Sequence, residues 1–288
     1  MKVCPACDHR FEARHWSCPR CGRLPEQRGA YAAFAPRLMD VDGYDSAFFR
    51  KLAALEPDNY WFEARNRLLV WALQRYFPAA RNFLEIGCGT GFVLAGIRQA
   101  LPALALAGAE VFSEGLEFAE SRVPGSVLFQ MDARHIPFDD EFDVIGAFDV
   151  LEHIDEDDTV LAEMFRATRR GGGILLTVPQ HPWLWSSVDA HARHKRRYTR
   201  RQLVEKVGRA GFTLARATSF VSLLLPAMLV SRLWRRAGGR SGDPLPELAV
   251  GRITNAVLSH ILGLERALIA RGISFPAGGS LLMVARKR

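Results

Sequence analysis

Phe83-Leu84-Glu85-Ile86-Gly87-Cys88-Gly89-Thr90-Gly91 is the stretch whose reading decides the fold. An apolar-leaning run carries an acid, and three glycines follow at alternate positions. Alternate glycines let a strand end turn sharply into a helix while the backbone lies close to a bound ligand. A dinucleotide turn of the G-x-G-x-x-G type would put a small residue at position 92, which here is Phe. The competing reading is a plain Gly-rich turn with no ligand.

Outward from this stretch, strands alternate with helices. Strands are expected at 83–86, 104–110, 127–131, 142–148 and 173–178, and helices at 92–100, 112–122, 158–169 and 200–210. Such a rhythm predicts a doubly wound parallel sheet with ligands at the carboxyl ends of its strands. The acids fall at those ends. Glu110 closes the second strand, where a carboxylate can accept both hydroxyls of a ribose, and Asp132 follows the third. After the fourth comes Phe148-Asp149-Val150-Leu151-Glu152-His153-Ile154, and Arg169-Arg170-Gly171-Gly172-Gly173 precedes the fifth.

Taken in order, these segments resemble class I S-adenosylmethionine (SAM)-dependent methyltransferases, in particular the small-molecule and ubiquinone-biosynthesis-like group. The resemblance covers about residues 45–216 plus the last strand, Ser280–Ala285. It implies an α/β, Rossmann-like, seven-stranded methyltransferase sheet. It also implies that Glu85 anchors the methionine amine and that the backbone of Gly87, Gly89 and Gly91 passes under the cofactor. Glu110 would then hold the ribose, while Met131, Asp132 and Ala133 line the adenine and Asp149 borders the site. Arg65, in the aromatic stretch Tyr60-Trp61-Phe62-Glu63-Ala64-Arg65, is the candidate for a bidentate contact to the cofactor carboxylate. Trp61 and Phe62 read equally well as packing on the sheet edge.

Methyl transfer from a sulfonium is an in-line displacement, so the protein supplies alignment and, for a hydroxyl acceptor, a proton sink. His153 is the nearest candidate base, with a structural role as its rival. A second cluster follows the fifth strand: His181, Trp183, Trp185, Asp189, His191, His194, Arg196 and Arg197. Imidazoles and guanidiniums between tryptophans suit an anionic, partly apolar acceptor, and His191 or His194 is expected to contact it.

Four of the five cysteines lie within the first 21 residues, as Cys4-Pro5-Ala6-Cys7 and Cys18-Pro19-Arg20-Cys21. Two C-x2-C knuckles bring four thiolates onto one cation, and tetrahedral sulfur favours zinc, with a rubredoxin-type iron as the minor alternative. The array resembles a zinc ribbon over residues 1–24, which implies a structural or docking element. Residues 25–44 read as a linker and 45–288 as the catalytic domain. Clustered thiols and a start without an apolar signal core lead us to expect a reducing, cytoplasmic compartment.

The net charge is +7, yet residues 193–240 carry thirteen Lys/Arg against Glu205 alone, a segment charge of +12 that leaves −5 elsewhere. Such a segment suits phosphate groups, nucleic acid or lipid, or is simply a solvated face. A helical insert of about residues 218–276 precedes the last strand. Its first apolar run has fifteen residues between Arg216 and Arg232, short of the ~20 needed to span a bilayer. It could lie in a membrane interface, form a substrate lid or make a dimer contact.

The expected activity is methyl transfer to a small or lipid-linked acceptor, most simply on oxygen. Two other readings stay open: an RNA or protein methyltransferase docking through the ribbon and basic segment, and a non-catalytic SAM-binding scaffold. The Asn/Asp-Pro-Pro-Tyr/Phe motif of amino-directed enzymes is absent after the fourth strand, which argues against methylation of a base or a side-chain amine, and a nucleic-acid partner is not expected.

Overall fold

Strands whose successive side chains are buried on opposite faces form the centre of the molecule. On β5 (Asn82–Ile86), Leu84 and Ile86 enter one core and Phe83 the other. On β11 (Ser280–Arg286), Leu281 and Met283 alternate with Leu282 and Val284 in the same way. A strand apolar on both faces must be covered on both, which is the doubly wound arrangement. The computed structural model describes residues 1–13, 15–35, 46–237 and 250–288, without the side chains of 46–47 and 232–237.

The elements follow the expected rhythm. After β5 come α3 (Phe92–Ala100), β6 (Ala105–Glu110), α4 (Ser113–Arg122), β7 (Val127–Gln130), β8 (Phe142–Phe148), α5 (Asp157–Ala167), β9 (Thr168–Pro179), α6 (Ser187–His191), α7 (Arg200–Arg209) and β10 (Thr213–Phe220). Two helices precede them, α1 (Ser46–Leu55) and α2 (Tyr60–Tyr76). α8 (Leu225–Ala237) and α9 (Arg252–Ala270) separate β10 from β11. One core lies under α5 and α7, and the other under α2, α3, α4 and α9.

With β3 (Glu26–Arg28) and β4 (Tyr31–Ala33), the sheet has nine strands among the described residues, in the order β10-β11-β9-β8-β5-β6-β7-β4-β3, where seven were expected. The two extra strands come from the stretch read as a linker. β3 and β4 form a hairpin, and β4 adds in parallel to the edge of β7. A short, polar β3 gives no periodicity to read, and β4 is fixed by the backbone groups β7 leaves unpaired. Residues 36–44 of that linker, and the side chains of Arg232, Arg235, Arg236 and Arg240, lie outside the described residues.

The cysteine module is likewise part of the body. β1 (Lys2–Val3) pairs with β2 (Arg10–Phe11) and also bridges Phe138, and the Val3 N–H donates to the Pro137 carbonyl at 2.9 Å. Trp16 packs edge-on against Phe34 (4.5 Å between centroids) and Phe138 (5.4 Å). β9 begins at Thr168 rather than 173. Residues 169–172 bulge opposite Asp143, where Gly171 takes φ +79°. The helical insert starts only after Phe220, because β10 stays paired with β11 to that residue. α9 packs along α2, and its Asn255 Oδ1 accepts from the Tyr60 N–H at 2.9 Å.

Candidate active site

The sheet order reverses about β5, whose neighbours are β6 and β8, so a crevice opens at the carboxyl ends of these strands. Gly87, Gly89 and Gly91 all have positive φ (+68°, +51°, +75°), a conformation costly for any residue with a Cβ. Their surroundings differ. A Cβ on Gly87 would meet Val150 at 2.5 Å, and one on Gly91 would meet the Ala119 backbone at 2.8 Å. Gly89 faces open space, with only Phe49 of α1 nearby at 3.9 Å. Two glycines therefore serve packing, and the third exposes bare backbone to the crevice.

Two buried acids flank that backbone. The Glu110 carboxylate accepts from the N–H groups of Val111 (2.8 Å), Phe112 (3.2 Å) and Gly89 (3.1 Å). Burial raises its pKa and those donors oppose the rise. Glu85 is fully buried with one carboxylate oxygen unpartnered, and burial pushes its pKa well above the usual range despite the nearby Arg65 charge. Met131 and Ala133 are buried beside Asp132, whose carboxylate receives Arg134 Nε at 3.0 Å. Arg65 is ion-paired with Asp149 and lies 4.4 Å over the Trp61 ring, so in the free protein its partner is an acid of the site itself. Thr90, inside the glycine turn, donates to the buried Glu56 at the end of α1 at 2.7 Å, and Arg122 pairs with the same acid. That clamp, which ties α1 to the turn, has no sequence signature.

At the ends of β8, β9 and β10 the backbone turns through residues other than glycine: Asp149 (φ +58°), His181 (+62°) and Val221 (+58°). Left-handed backbone at three strand ends on one half of the sheet, one of them at a β-branched residue, is stored strain of the kind found at functional sites. Here His153 and His194 meet edge to face, 4.8 Å between centroids, and His194 Nε2 lies 3.9 Å from Glu152 Oε1. His194 Nδ1 pairs with Asp189 at 3.0 Å, and Arg197 Nε donates to the same oxygen at 2.7 Å. Burial raises the pKa of Asp189, but His194 and Arg197 outweigh that and hold it at about 2. His153 is held down at about 4 by burial first and by His194 second. His191 ends α6 on the exposed side, outside this cluster. Spacing could not bring His194 to Glu152, because the loop after β9 sets that approach: the Lys195 N–H donates to the Glu152 carbonyl at 2.6 Å.

Residues 84–176 match the model of a methyltransferase domain. The chain carries a methyltransferase domain. It is similar to a probable S-adenosylmethionine-dependent methyltransferase of Mycolicibacterium smegmatis, 28% identical over 171 residues that cover 57% of this chain and 63% of the relative. It is also similar to a phosphatidylethanolamine N-methyltransferase of Cereibacter sphaeroides, 36% identical over 103 residues, 32% of this chain and 48% of that one. The chain thus spans about half to under two thirds of the length of these curated relatives. Its fold is that of the Haemonchus contortus phosphoethanolamine N-methyltransferase 2 solved with S-adenosyl-L-methionine, at TM-score 0.56 and 20% identity over 88% of this chain and 59% of that one. The domain has a Rossmann-like methyltransferase fold with a mixed central sheet.

Proposed function

We propose that this protein transfers the methyl group of SAM to a small or lipid-linked acceptor, most simply to an oxygen. The observation that carries the cofactor part is the bare Gly89 backbone between two buried acids. Glu85, with an unpartnered oxygen, suits an ammonium, and that match returns a buried carboxylate to its charged form. Glu110 keeps lone pairs for ribose hydroxyls while three N–H groups fix its direction. Met131 and Ala133 make the adenine wall. Asp132, shared with Arg134, takes the amino group, and Arg65 swings between Asp149 and the cofactor carboxylate.

SAM brings the activated methyl, and the rest falls to the chain. His153, kept neutral, and His194, oriented by Asp189, offer ring nitrogens to the acceptor's proton, with His191 at the mouth of the loop. The exposed Trp183 ring, stacked on His181 at 5.1 Å, fits an acceptor with an apolar part. α9 has 19 residues, a mean hydropathy of 1.2 and 17% burial, and is by length and composition the one membrane-length apolar helix among the described residues. Exposed Ile253, Val257 and Leu264 on it favour peripheral contact of a cytoplasmic protein with a membrane.

Cys4, Cys7, Cys18 and Cys21 would hold a structural Zn2+. Their sulfurs approach to 3.6 Å (Cys4–Cys21) and 3.7 Å (Cys7–Cys18). Zinc–sulfur bonds of ~2.3 Å at tetrahedral angles ask for roughly 3.8 Å. Amine methylation is the second reading, favoured by the name of the Cereibacter sphaeroides relative. Methyl-labelled SAM incubated with the protein and fractionated extract tests the reading. Label in lipid or small molecules supports it. Label in RNA or protein points to a docking enzyme, and label nowhere to a scaffold.

A further inference from the structure

Glu152 is fully buried, and neither of its carboxylate oxygens has a hydrogen-bond partner. A carboxylate in that condition pays a large desolvation cost, and native proteins offset such a cost with a cation or donors. The neighbouring charges are already engaged: Asp149 with Arg65, and Asp189 with Arg197 and His194. Beside Glu152 stand two imidazoles. His194 gives its Nδ1 proton to Asp189, which in the neutral ring leaves the Nε2 lone pair directed toward Glu152. One oxygen of Glu152 and one nitrogen each of His153 and His194 all lie within 4.8 Å of one another. Three Lewis bases thus converge with no protein donor among the described residues to fill the space between them.

We infer that Glu152, His153 and His194 form a site for a first-row divalent cation. Two imidazoles and one carboxylate suit such an ion and leave coordination positions open. Metal–ligand bonds of ~2.1 Å keep any two ligand atoms within ~4.2 Å of each other, so the 3.9 Å Glu152–His194 pair is already in range, and the set, which spans up to 4.8 Å, closes on the ion by small side-chain rotations. Asp189 holds His194 as an outer-shell carboxylate holds a ligating histidine. The site differs from the cysteine cluster in place and in chemistry, since four thiolates select zinc while N/O ligands take Mn2+, Fe2+ or Co2+ as well. Cation binding stands apart from the methyl-transfer reading. Its role there rests on that reading: with the ion bound, the imidazole lone pairs would serve as ligands instead of bases, and an acceptor hydroxyl on an open position would lose its proton to water more readily.

The experiment uses the full chain with zinc in its cysteine cluster and titrates Mn2+, following the free-ion signal by electron paramagnetic resonance. One equivalent should be taken up. Glu152→Gln, which keeps the side chain's shape and removes a buried charge, should weaken uptake at least tenfold, as should His194→Ala. SAM affinity, measured in parallel by calorimetry, should change less than threefold in both variants. A free signal that persists at millimolar Mn2+ would overturn the proposal. So would equal uptake by wild type and both variants. A protein that binds Mn2+ but not SAM would keep the cation site while sinking the methyl-transfer reading.

Discussion

The two halves of the sheet's carboxyl edge are built on opposite plans. At the ends of β5, β6 and β7, glycines and main-chain N–H groups do the positioning, and Glu110 is held by three of them. At the ends of β8, β9 and β10, strained non-glycine residues and long side chains from separate loops converge, and several polar atoms lack partners, among them those of Glu152 and Gln180. A backbone-built half suits one fixed ligand. A half built from loop side chains suits an acceptor that differs between proteins of the same fold.

If the halves are separable, changes in one should leave the other's readout intact. The largest effect is expected from His153→Ala with His194→Ala, which should cut turnover by roughly 10²–10⁴ and leave SAM affinity nearly unchanged. An equal loss of SAM binding, measured by calorimetry, would break the division. Gly89→Val should do the reverse and abolish measurable SAM binding. Its left-handed strain of ~1–2 kcal/mol would lower the melting temperature by only a few degrees. Retained binding would mean that the ligand does not cross this turn.

A smaller effect should follow removal of the zinc that we propose the cysteine cluster holds. Trp16 and Val3 lean on residues 137–138, a few positions beyond Asp132, so chelation should loosen the adenine wall. About tenfold weaker SAM binding, with the sheet intact by circular dichroism, would place the ribbon in the cofactor half. Unchanged affinity would leave it a docking module. The mildest effect is on pH. The pKa of Glu85 is raised in the free protein, and an ammonium partner favours its charged form. The bound pKa therefore lies below the free one, binding releases a proton, and affinity falls as pH drops through the interval between the two. Buffer-dependent binding heats near the free pKa would reveal that proton. Their absence would sharpen the comparison by assigning the amine to another group.

The unequal legibility of the halves in the sequence has the same origin. Glu85, the glycines, Glu110 and Asp132 sit at or beside strand ends, and a strand end is set by local alternation and a turn, so local spacing together with the family resemblance pointed to these positions. The helices at 92–100 and 200–210 were likewise readable within a residue from their apolar faces. The partners that define the other half meet through irregular loops. Asp189 reaches His194 across the turn that ends the short helix α6, and Glu152 meets it across a gap of about forty residues. Glu56, which clasps Thr90 from α1, is equally distant. The β3–β4 hairpin escaped because an edge strand of three residues is fixed by its neighbour's unpaired backbone and not by its own pattern.

The central claim is that the crevice over Gly89 holds SAM. Calorimetric titration of SAM into the wild-type chain and into the Glu110→Ala, Asp132→Ala double variant tests it most directly. The structure predicts one site per chain in the wild type and at least tenfold weaker binding in the variant. No binding to the wild type, or the same affinity in both, would contradict it.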